Sequence, residues 1–222
     1  MEKQSQDELK EVAAQLRIPA GEHGSHMAQL MNLGNASMNM HTLAVVNPQA
    51  NDSILEIGMA NGFFVPNILN LHPSITYTGL DYSELMVEES IANNISYVHS
   101  HRAQFVCGNI EKMPFDKARF NTVFTINTIY FWEKPSVAMA ELKRVLKPGG
   151  HVIISFRPKH NMEAMPVTQF GFTKYTIQEV IELLTEGGFV NLQTTEIKEP
   201  EKFGLSDELV RESVMIKGQL PN

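Results

Sequence analysis

A strand, a glycine turn and a helix follow one another in residues 53–69, and this order restricts the fold more than any other stretch. The short apolar run from Ser53 to Ile57 has a strand-like composition, and Gly58 ends it abruptly. Gly62 precedes a second apolar run that is predicted to be a helix. Because glycine has no Cβ, the backbone can turn tightly there and approach a ligand closely. The pattern predicts the first unit of a nucleotide-binding α/β sheet, although the same turn also occurs in parallel sheets that bind nothing there.

An acidic residue at the end of the next predicted strand favours a nucleotide site. Asp81 closes the run Thr76–Leu80 and lies roughly 20 residues after the first glycine. A carboxylate in this position can accept hydrogen bonds from both hydroxyls of a ribose.

Strand-like and helix-like segments alternate along the rest of the chain, which predicts a mainly parallel, doubly wound sheet. The predicted strands are residues 104–107, 121–126 and 151–156. The predicted helices are residues 9–16, one or two helices within 27–46, residues 85–93, a helix opened by Pro135 and a helix that begins at the capping box Thr176-Ile-Gln-Glu179. Two final strands, 189–197 and 211–217, are joined by a short connection, so we expect an antiparallel hairpin. Residues 157–174 are expected to form a long irregular loop.

Charge and composition exclude several classes of function. The 222 residues include 18 Lys and Arg and 25 Asp and Glu, for a net charge of −7. Tight binding of nucleic acid needs clustered basic residues, and the sequence contains no basic run, so no nucleic-acid partner is expected. With no apolar run of membrane-span length and no signal-peptide core, we expect no membrane partner and a cytoplasmic location. The single cysteine, Cys107, excludes an intrachain disulfide and is expected to be a buried small hydrophobe.

Five short motifs, in order and at predicted strand ends, resemble the class I S-adenosyl-L-methionine-dependent methyltransferases, in their small-molecule branch. The motifs are Leu55-Glu-Ile-Gly-Met-Ala-Asn-Gly62, Gly79-Leu-Asp-Tyr-Ser83, Cys107-Gly-Asn-Ile-Glu-Lys-Met-Pro-Phe115, Phe120-Asn-Thr-Val-Phe124 and Glu141-Leu-Lys-Arg-Val-Leu-Lys-Pro-Gly-Gly150. The resemblance implies an α/β, Rossmann-like, doubly wound seven-stranded sheet with helices on both faces. The sheet would be mainly parallel, with one antiparallel strand near the C-terminal edge, inserted beside the fifth strand. We expect a helical cap over the active site in residues 1–48 and a methyltransferase domain in residues 49–222.

The resemblance also implies S-adenosyl-L-methionine as the cofactor. The implied cofactor-binding residues are Glu56, Gly58, Gly62, Asp81, Tyr82, Asn109, Ile110 and Asn127. The two glycines would let the loop pass under the methionine part, Glu56 would orient its amino group, and Asp81 would hold the ribose. Asn109 and the N–H of Ile110 would bind the adenine edge, and Asn127 lies where the main chain meets the methionine part.

Two positions depart from the family pattern. Ala60 replaces the middle glycine of the turn, which is tolerable if its φ is negative. Asn109 replaces an aspartate, so it keeps an acceptor oxygen and gives up the charge. Both changes could weaken cofactor binding, so a non-catalytic cofactor-binding protein remains an alternative.

Methyl transfer is an in-line displacement that depends mainly on positioning, so the lack of an obvious catalytic dyad is no objection. The segment Asn127-Thr-Ile-Tyr-Phe-Trp132 lacks the Asn/Asp-Pro-Pro-aromatic motif typical of enzymes that methylate amino groups of bases or glutamine. Its aromatic residues follow a central strand and could line a pocket for an apolar or planar acceptor, so we expect an uncharged or weakly polar small molecule. It would lie between Tyr130, the 157–174 segment and the helices around residues 31–40, with Tyr130 as a pocket residue and His160 as a candidate base. Phe131 and Trp132 could equally pack against the next helix.

Two other features of the sequence allow different interpretations. His99 and His101 could form a metal pair, but no further ligand is near in sequence, so no metal is expected. A nicotinamide-dependent oxidoreductase is a third possible function, although the Gly-x-x-x-Gly turn differs from the Gly-x-Gly-x-x-Gly of those enzymes. The sequence leaves the oligomeric state open.

Overall fold

Seven strands form one sheet in the computed structural model, which describes residues 5–199 and 211–222. The strands are β1 (Ser53–Ile57), β2 (Thr76–Asp81), β3 (Ala103–Cys107), β4 (Phe120–Ile126), β5 (Leu146–Phe156), β6 (Val190–Lys198) and β7 (Glu212–Gln219). Their order across the sheet is β3-β2-β1-β4-β5-β7-β6. Neighbouring strands from β3 to β5 are parallel, whereas β7 is antiparallel to both β5 and β6. The predicted topology is confirmed, while most of the connection between β6 and β7, residues 200–210, lies outside the described residues.

Helices cover both faces of the sheet. They are α1 (Gln6–Arg17), α2 (Gly21–Gly34), α3 (Ala36–Val46), α4 (Val65–Leu69), α5 (Glu84–Asn93), α6 (Ile95–His99), α7 (Pro135–Val145), α8 (Lys159–Glu163) and α9 (Ile177–Glu186), with short 3₁₀ helices at Ile129–Phe131 and Pro166–Gln169. Local capping explains two of the helix starts: Ser83 caps α5, and Thr176 and Glu179 form a capping box at α9. Among the described helices, none has the length and apolarity needed to cross a bilayer.

Two hydrophobic cores lie on opposite faces of the sheet. Ile54 and Leu55, neighbours in β1, belong to different cores because successive side chains of a strand point to opposite faces. Both side chains are fully buried, which explains why the central strands are continuously apolar rather than alternating. One core is completed by α7 and α9, and the other by α3 and α4.

The first three helices are held to the sheet to very different degrees. On α3, Met38, Leu43 and Val46 are buried in a core, and the helix packs against β4, β5 and β7. On α1, Ala13 alone is buried, and the helix contacts α2 and the 3₁₀ helix at Pro166–Gln169. Part of the region expected to be a cap therefore belongs to the core.

Two expectations about local structure are wrong. The 157–174 segment is not simply irregular, because it contains α8 and the second 3₁₀ helix. Cys107 is exposed rather than buried. It is the last residue of β3, the edge strand of the sheet.

Candidate functional site

A cavity of about 230 Å³ lies where β1, β2 and β4 end, at the carboxyl edge of the sheet. Ligands bind at this edge in open α/β folds, because the loops after the strands diverge there. Of the residues implied by the resemblance, those that line the cavity are Glu56, Gly58, Asp81, Tyr82, Asn109, Ile110 and Asn127. Gly62, Tyr130 and His160 do not line it.

The loop after β1 has three residues in the left-handed region of φ. They are Gly58 (φ +74°), Ala60 (φ +50°) and Gly62 (φ +68°). A Cβ on Gly58 would collide with the side chain of Thr128. Ala60 was expected to be tolerable if its φ is negative, and its φ is positive instead. For a residue with a Cβ this conformation costs roughly 1–2 kcal/mol.

Asp81 ties this loop to the end of β2. Its Oδ2 accepts a hydrogen bond from the Ala60 N–H at 3.0 Å, and its Oδ1 accepts one from the Ser83 N–H at 2.9 Å. Burial raises the pKa of Asp81 to about 6, while hydrogen bonds from the backbone N–H groups of residues 60, 82 and 83 lower it in part. An ionised carboxylate has about four acceptor positions, so each oxygen retains capacity for a ribose hydroxyl.

Glu56 is a second buried acid in the cavity. It is 6% exposed and accepts a hydrogen bond from the Tyr77 hydroxyl at 2.6 Å. Burial raises the pKa of Glu56 to about 7, the Tyr77 hydrogen bond opposes this rise, and the nearby charge of Asp81 adds to it. A cationic group placed here would favour the ionised form, which suits the expected role of Glu56 beside an amino group.

The turn after β3 contributes Asn109 and Ile110. Asn109 Oδ1 already accepts a hydrogen bond from the Glu111 N–H at 2.8 Å, so a ligand amino group would have to share this oxygen. Ile110 is buried beside it, whereas Tyr82 is 58% exposed. The cavity wall at this end therefore combines an apolar surface with an amide.

Tyr130 lies behind the cavity wall rather than in it. Its side chain is buried, and its hydroxyl donates to Asn127 Oδ1 at 3.0 Å and accepts from the Arg157 N–H at 2.5 Å. Burial raises the pKa of Tyr130, so the hydroxyl is not a ready base. The expectation for this segment is reversed, since Phe131 and Trp132 line the cavity and Tyr130 orients Asn127.

His160 lies outside the cavity. Its ring, on α8, is exposed, and its Nε2 is 2.9 Å from Glu212 Oε2. No residue of the 157–174 segment lines the cavity, so the geometry does not support His160 as a base or this segment as a wall. In the part of the chain that the structure describes, no group of three metal-binding side chains is found near His99 and His101 or elsewhere.

The N-terminal helices supply cavity residues that sequence reasoning did not identify individually. These are Leu16, Arg17, Ile18, Pro19, Met31, Asn32, Asn35 and Asn39. Asn35 Oδ1 accepts a hydrogen bond from Asn127 Nδ2 at 3.2 Å, which links this region to the end of β4. Arg17 pairs with Glu133 at 2.8 Å, and because both lining side chains are partly exposed, the pair lies at the rim. No sequence pattern marks these residues, since their roles depend on how the helices fold back over the sheet.

Comparisons with known proteins agree with this geometry. Residues 55–154 match the family model described as "Methyltransferase domain". The uncharacterized methyltransferase YdaC of Bacillus subtilis is 25% identical over 150 residues, which is 68% of this chain and 80% of that protein. The tRNA U34 carboxymethyltransferase of Nautilia profundicola is 31% identical over 105 residues, 47% of this chain and 34% of that protein.

A solved structure extends the likeness over nearly the whole chain. Phosphoethanolamine N-methyltransferase 2 of Haemonchus contortus, in complex with phosphomonomethylethanolamine and S-adenosylhomocysteine, has a TM-score of 0.70 and 13% identity. The match covers 96% of this chain and 61% of that one. At 13% identity, the structural match shows a shared fold and no more. The evidence for the activity comes from the matched family model and the relatives. The matched family model and the methyltransferase relatives support the assignment of this chain to the class I S-adenosyl-L-methionine-dependent methyltransferases. The likeness in fold to a structure that holds S-adenosylhomocysteine agrees with S-adenosyl-L-methionine as the cofactor.

Proposed function

We propose that the cofactor binds in the cavity at the carboxyl ends of β1, β2 and β4 and that its methyl group passes to a small-molecule acceptor. The observation that carries the placement is the convergence of Glu56, Asp81, Asn109 and Asn127 on one cavity. Asp81 would hold the ribose hydroxyls, Glu56 the amino group of the methionine part, and Asn109 the adenine edge. Gly58 gives the backbone room to approach the methionine part.

The charge of the cavity supports a neutral or cationic acceptor. The acidic lining residues are Glu56, Asp81, Glu111 and Glu133, and among the described residues Arg17 is the basic one. Arg17 is paired with Glu133, so a carboxylate or phosphate entering the cavity would have to displace that partner. An anionic acceptor would therefore lose its hydration among acidic side chains, and the described basic side chain of the cavity wall is already paired.

The shape of the lining supports a partly apolar or planar acceptor. Residues 1–48 would act as a cap, since the end of α1, the link after it and α2 contribute the Leu16–Pro19 segment and Met31 to the cavity, which Phe131 and Trp132 also line. These apolar surfaces can hold a flat molecule and exclude water from the methyl donor. Catalysis would then rest on bringing the acceptor in line with the methyl group, with no side chain serving as a strong base.

RNA is the main competing class of acceptor, because the name of the Nautilia relative refers to tRNA. Tight binding of RNA phosphates requires clustered Lys and Arg, whereas this chain carries 18 basic and 25 acidic residues. The acidic balance favours the small-molecule acceptor.

Transfer of label from the cofactor tests the proposal. The protein would be incubated with methyl-labelled S-adenosyl-L-methionine and a cell extract, and metabolites, proteins and nucleic acids would then be separated. We expect label chiefly in the metabolite fraction and none with an Asp81→Ala control. Label chiefly in RNA or protein would overturn the small-molecule acceptor.

A further inference from the structure

The loop after β1 is held from behind by side chains of one helix. Three successive carbonyl groups, those of residues 60–62, accept hydrogen bonds at 2.9, 2.9 and 3.0 Å. The donors, in the same order, are Ser90 Oγ, Asn93 Nδ2 and Asn94 Nδ2, at the C-terminal end of α5. We call these three side chains the α5 clamp. None of them lines the cavity.

The contact between loop and helix is as close as glycine permits. A Cβ on Gly62 would lie 2.8 Å from Asn94 Nδ2 and 2.9 Å from Ser90 Oγ. This approach explains why Gly62 is needed although it does not face the cavity. Ser90 and Asn94 are 0% and 1% exposed, so water cannot readily replace their hydrogen bonds if they are removed.

The clamp and the cavity act on opposite sides of the same loop. The Ala60 carbonyl points to Ser90, whereas the Ala60 N–H points to Asp81 at the cavity. Ala60 has an unfavourable φ, so the loop needs external contacts to keep this conformation. The helix that provides them is itself fixed, because its first turn is capped by Ser83 and its Met86 is fully buried.

We propose that the α5 clamp is a positioning device that sets the affinity for S-adenosyl-L-methionine by holding the loop of residues 58–62 in its binding conformation, without touching the cofactor. The inference rests on the proposed placement of the cofactor at this loop. Ser90, Asn93 and Asn94 would thus contribute to binding through the loop, although they do not line the cavity.

Asn93 gives the sharpest test, because its side chain is exposed and its removal should not unfold the protein. Asn93→Ala removes the donor, and Asn93→Asp keeps the shape while placing an acceptor against the Asn61 carbonyl. Calorimetry with S-adenosylhomocysteine, well below the melting temperature, should show a dissociation constant raised about three- to tenfold in both variants. Ser90→Ala should show at least this loss if it folds.

A matched control separates positioning from general stability. Tyr97→Phe removes the hydrogen bond from Tyr97 to Asn70 Oδ1, 2.7 Å long, which lies outside the loop and the cavity. Its affinity should equal that of the wild type. Unchanged affinity in both Asn93 variants, with binding lost in Asp81→Ala, would overturn the clamp and leave the proposed site standing. Unchanged affinity in a folded Asp81→Ala would instead remove the proposed site, and the clamp with it.

Discussion

At the scale of single residues, the methyl group of Ala60 distinguishes the loop after β1 from a Gly-x-Gly-x-Gly turn. Ala60 has φ +50°, which costs roughly 1–2 kcal/mol. Glycine would relieve this cost but lose about 0.4–1 kcal/mol through the greater freedom of the unfolded chain. We therefore expect Ala60→Gly to raise the free energy of unfolding by up to about 1.6 kcal/mol, measured by chemical denaturation.

Ala118 provides the control for this prediction. It also has a positive φ, +53°, and it does not line the cavity. Ala118→Gly should stabilise the protein by a similar amount and leave binding of S-adenosylhomocysteine unchanged. If Ala60→Gly destabilises the protein while Ala118→Gly stabilises it, the Ala60 methyl group makes a favourable contact that outweighs its strain.

Asp81 is the residue on which the cofactor site depends most. Two hydrogen bonds from ribose hydroxyls to a charged acceptor are worth about 1.5–3 kcal/mol each, so Asp81→Ala should weaken S-adenosylhomocysteine binding a hundredfold or more. Asp81→Asn keeps one acceptor oxygen and should fall between the wild type and Asp81→Ala in calorimetry. Equal affinity in all three proteins, each shown to be folded, would place the ribose elsewhere.

The sequence predicted the site residues at the carboxyl ends of the strands and missed those whose direction depends on a later turn. Glu56 and Asp81 line the cavity because the ends of parallel strands meet at one edge. Tyr130 was expected there too, but Asn127 adopts φ +57° after β4, and Tyr130 lies buried behind the wall. A non-glycine residue in the left-handed region is not evident from sequence.

At the scale of elements, α1 and α3 should differ in local stability. One residue of α1 is buried, whereas α3 has Met38, Asn39, Thr42, Leu43 and Val46 buried. Amide hydrogens of helices with few buried contacts exchange through low-energy local opening. We expect α1 to exchange far faster than α3 in the free protein.

Cofactor binding should slow exchange in α1, because its C-terminal residues Leu16 and Arg17 line the cavity. Hydrogen exchange followed by mass spectrometry, with and without S-adenosylhomocysteine, measures both effects. The exposed end of α7, which does not line the cavity, serves as the internal reference. Equal protection of α1 with and without ligand would contradict a capping role for this helix.

Most helices and strands could be predicted from the sequence, because hydrophobic periodicity and helix-capping signals are local. The start of α9 followed from the Thr176 and Glu179 capping box, which the structure contains. The 157–174 segment was expected to be an irregular loop, and the sequence did not predict α8 within it. This helix has only five residues and no side-chain cap. Helices that short depend on tertiary contacts, and sequence periodicity cannot reveal them.

At the scale of the whole molecule, the alternation of strands and helices predicts a parallel sheet, but not the order of its strands. The position of β7 between β5 and β6 followed from family resemblance. The cap over the cavity shows the same limit. Asn35 reaches Asn127 across a long stretch of chain, and a contact of that separation is set by the completed fold.

Glu56 connects the site to the stability of the whole molecule. Its pKa is about 7 in the folded protein, against an ordinary value of 4.5. The folded state thus binds a proton more tightly than the unfolded state between these values, so stability falls as the pH rises from 4.5 to 7 and then levels off. Glu56→Gln cannot ionise and should escape this loss.

We expect Glu56→Gln to match the wild type near pH 4.5 and to exceed its free energy of unfolding by up to about 3 kcal/mol at pH 7 and above. The glutamine can still accept the Tyr77 hydrogen bond, so packing is retained. Glu88→Gln, an exposed change on α5, controls for the general effect of removing a negative charge. Denaturation curves at several pH values measure the difference, and a constant difference between wild type and Glu56→Gln across pH 4.5–7 would contradict the raised pKa. The same variant should bind S-adenosylhomocysteine more weakly above pH 7. At that pH the Glu56 carboxylate is ionised, which lowers the stability of the free protein but provides the charge that can hold the cofactor's amino group.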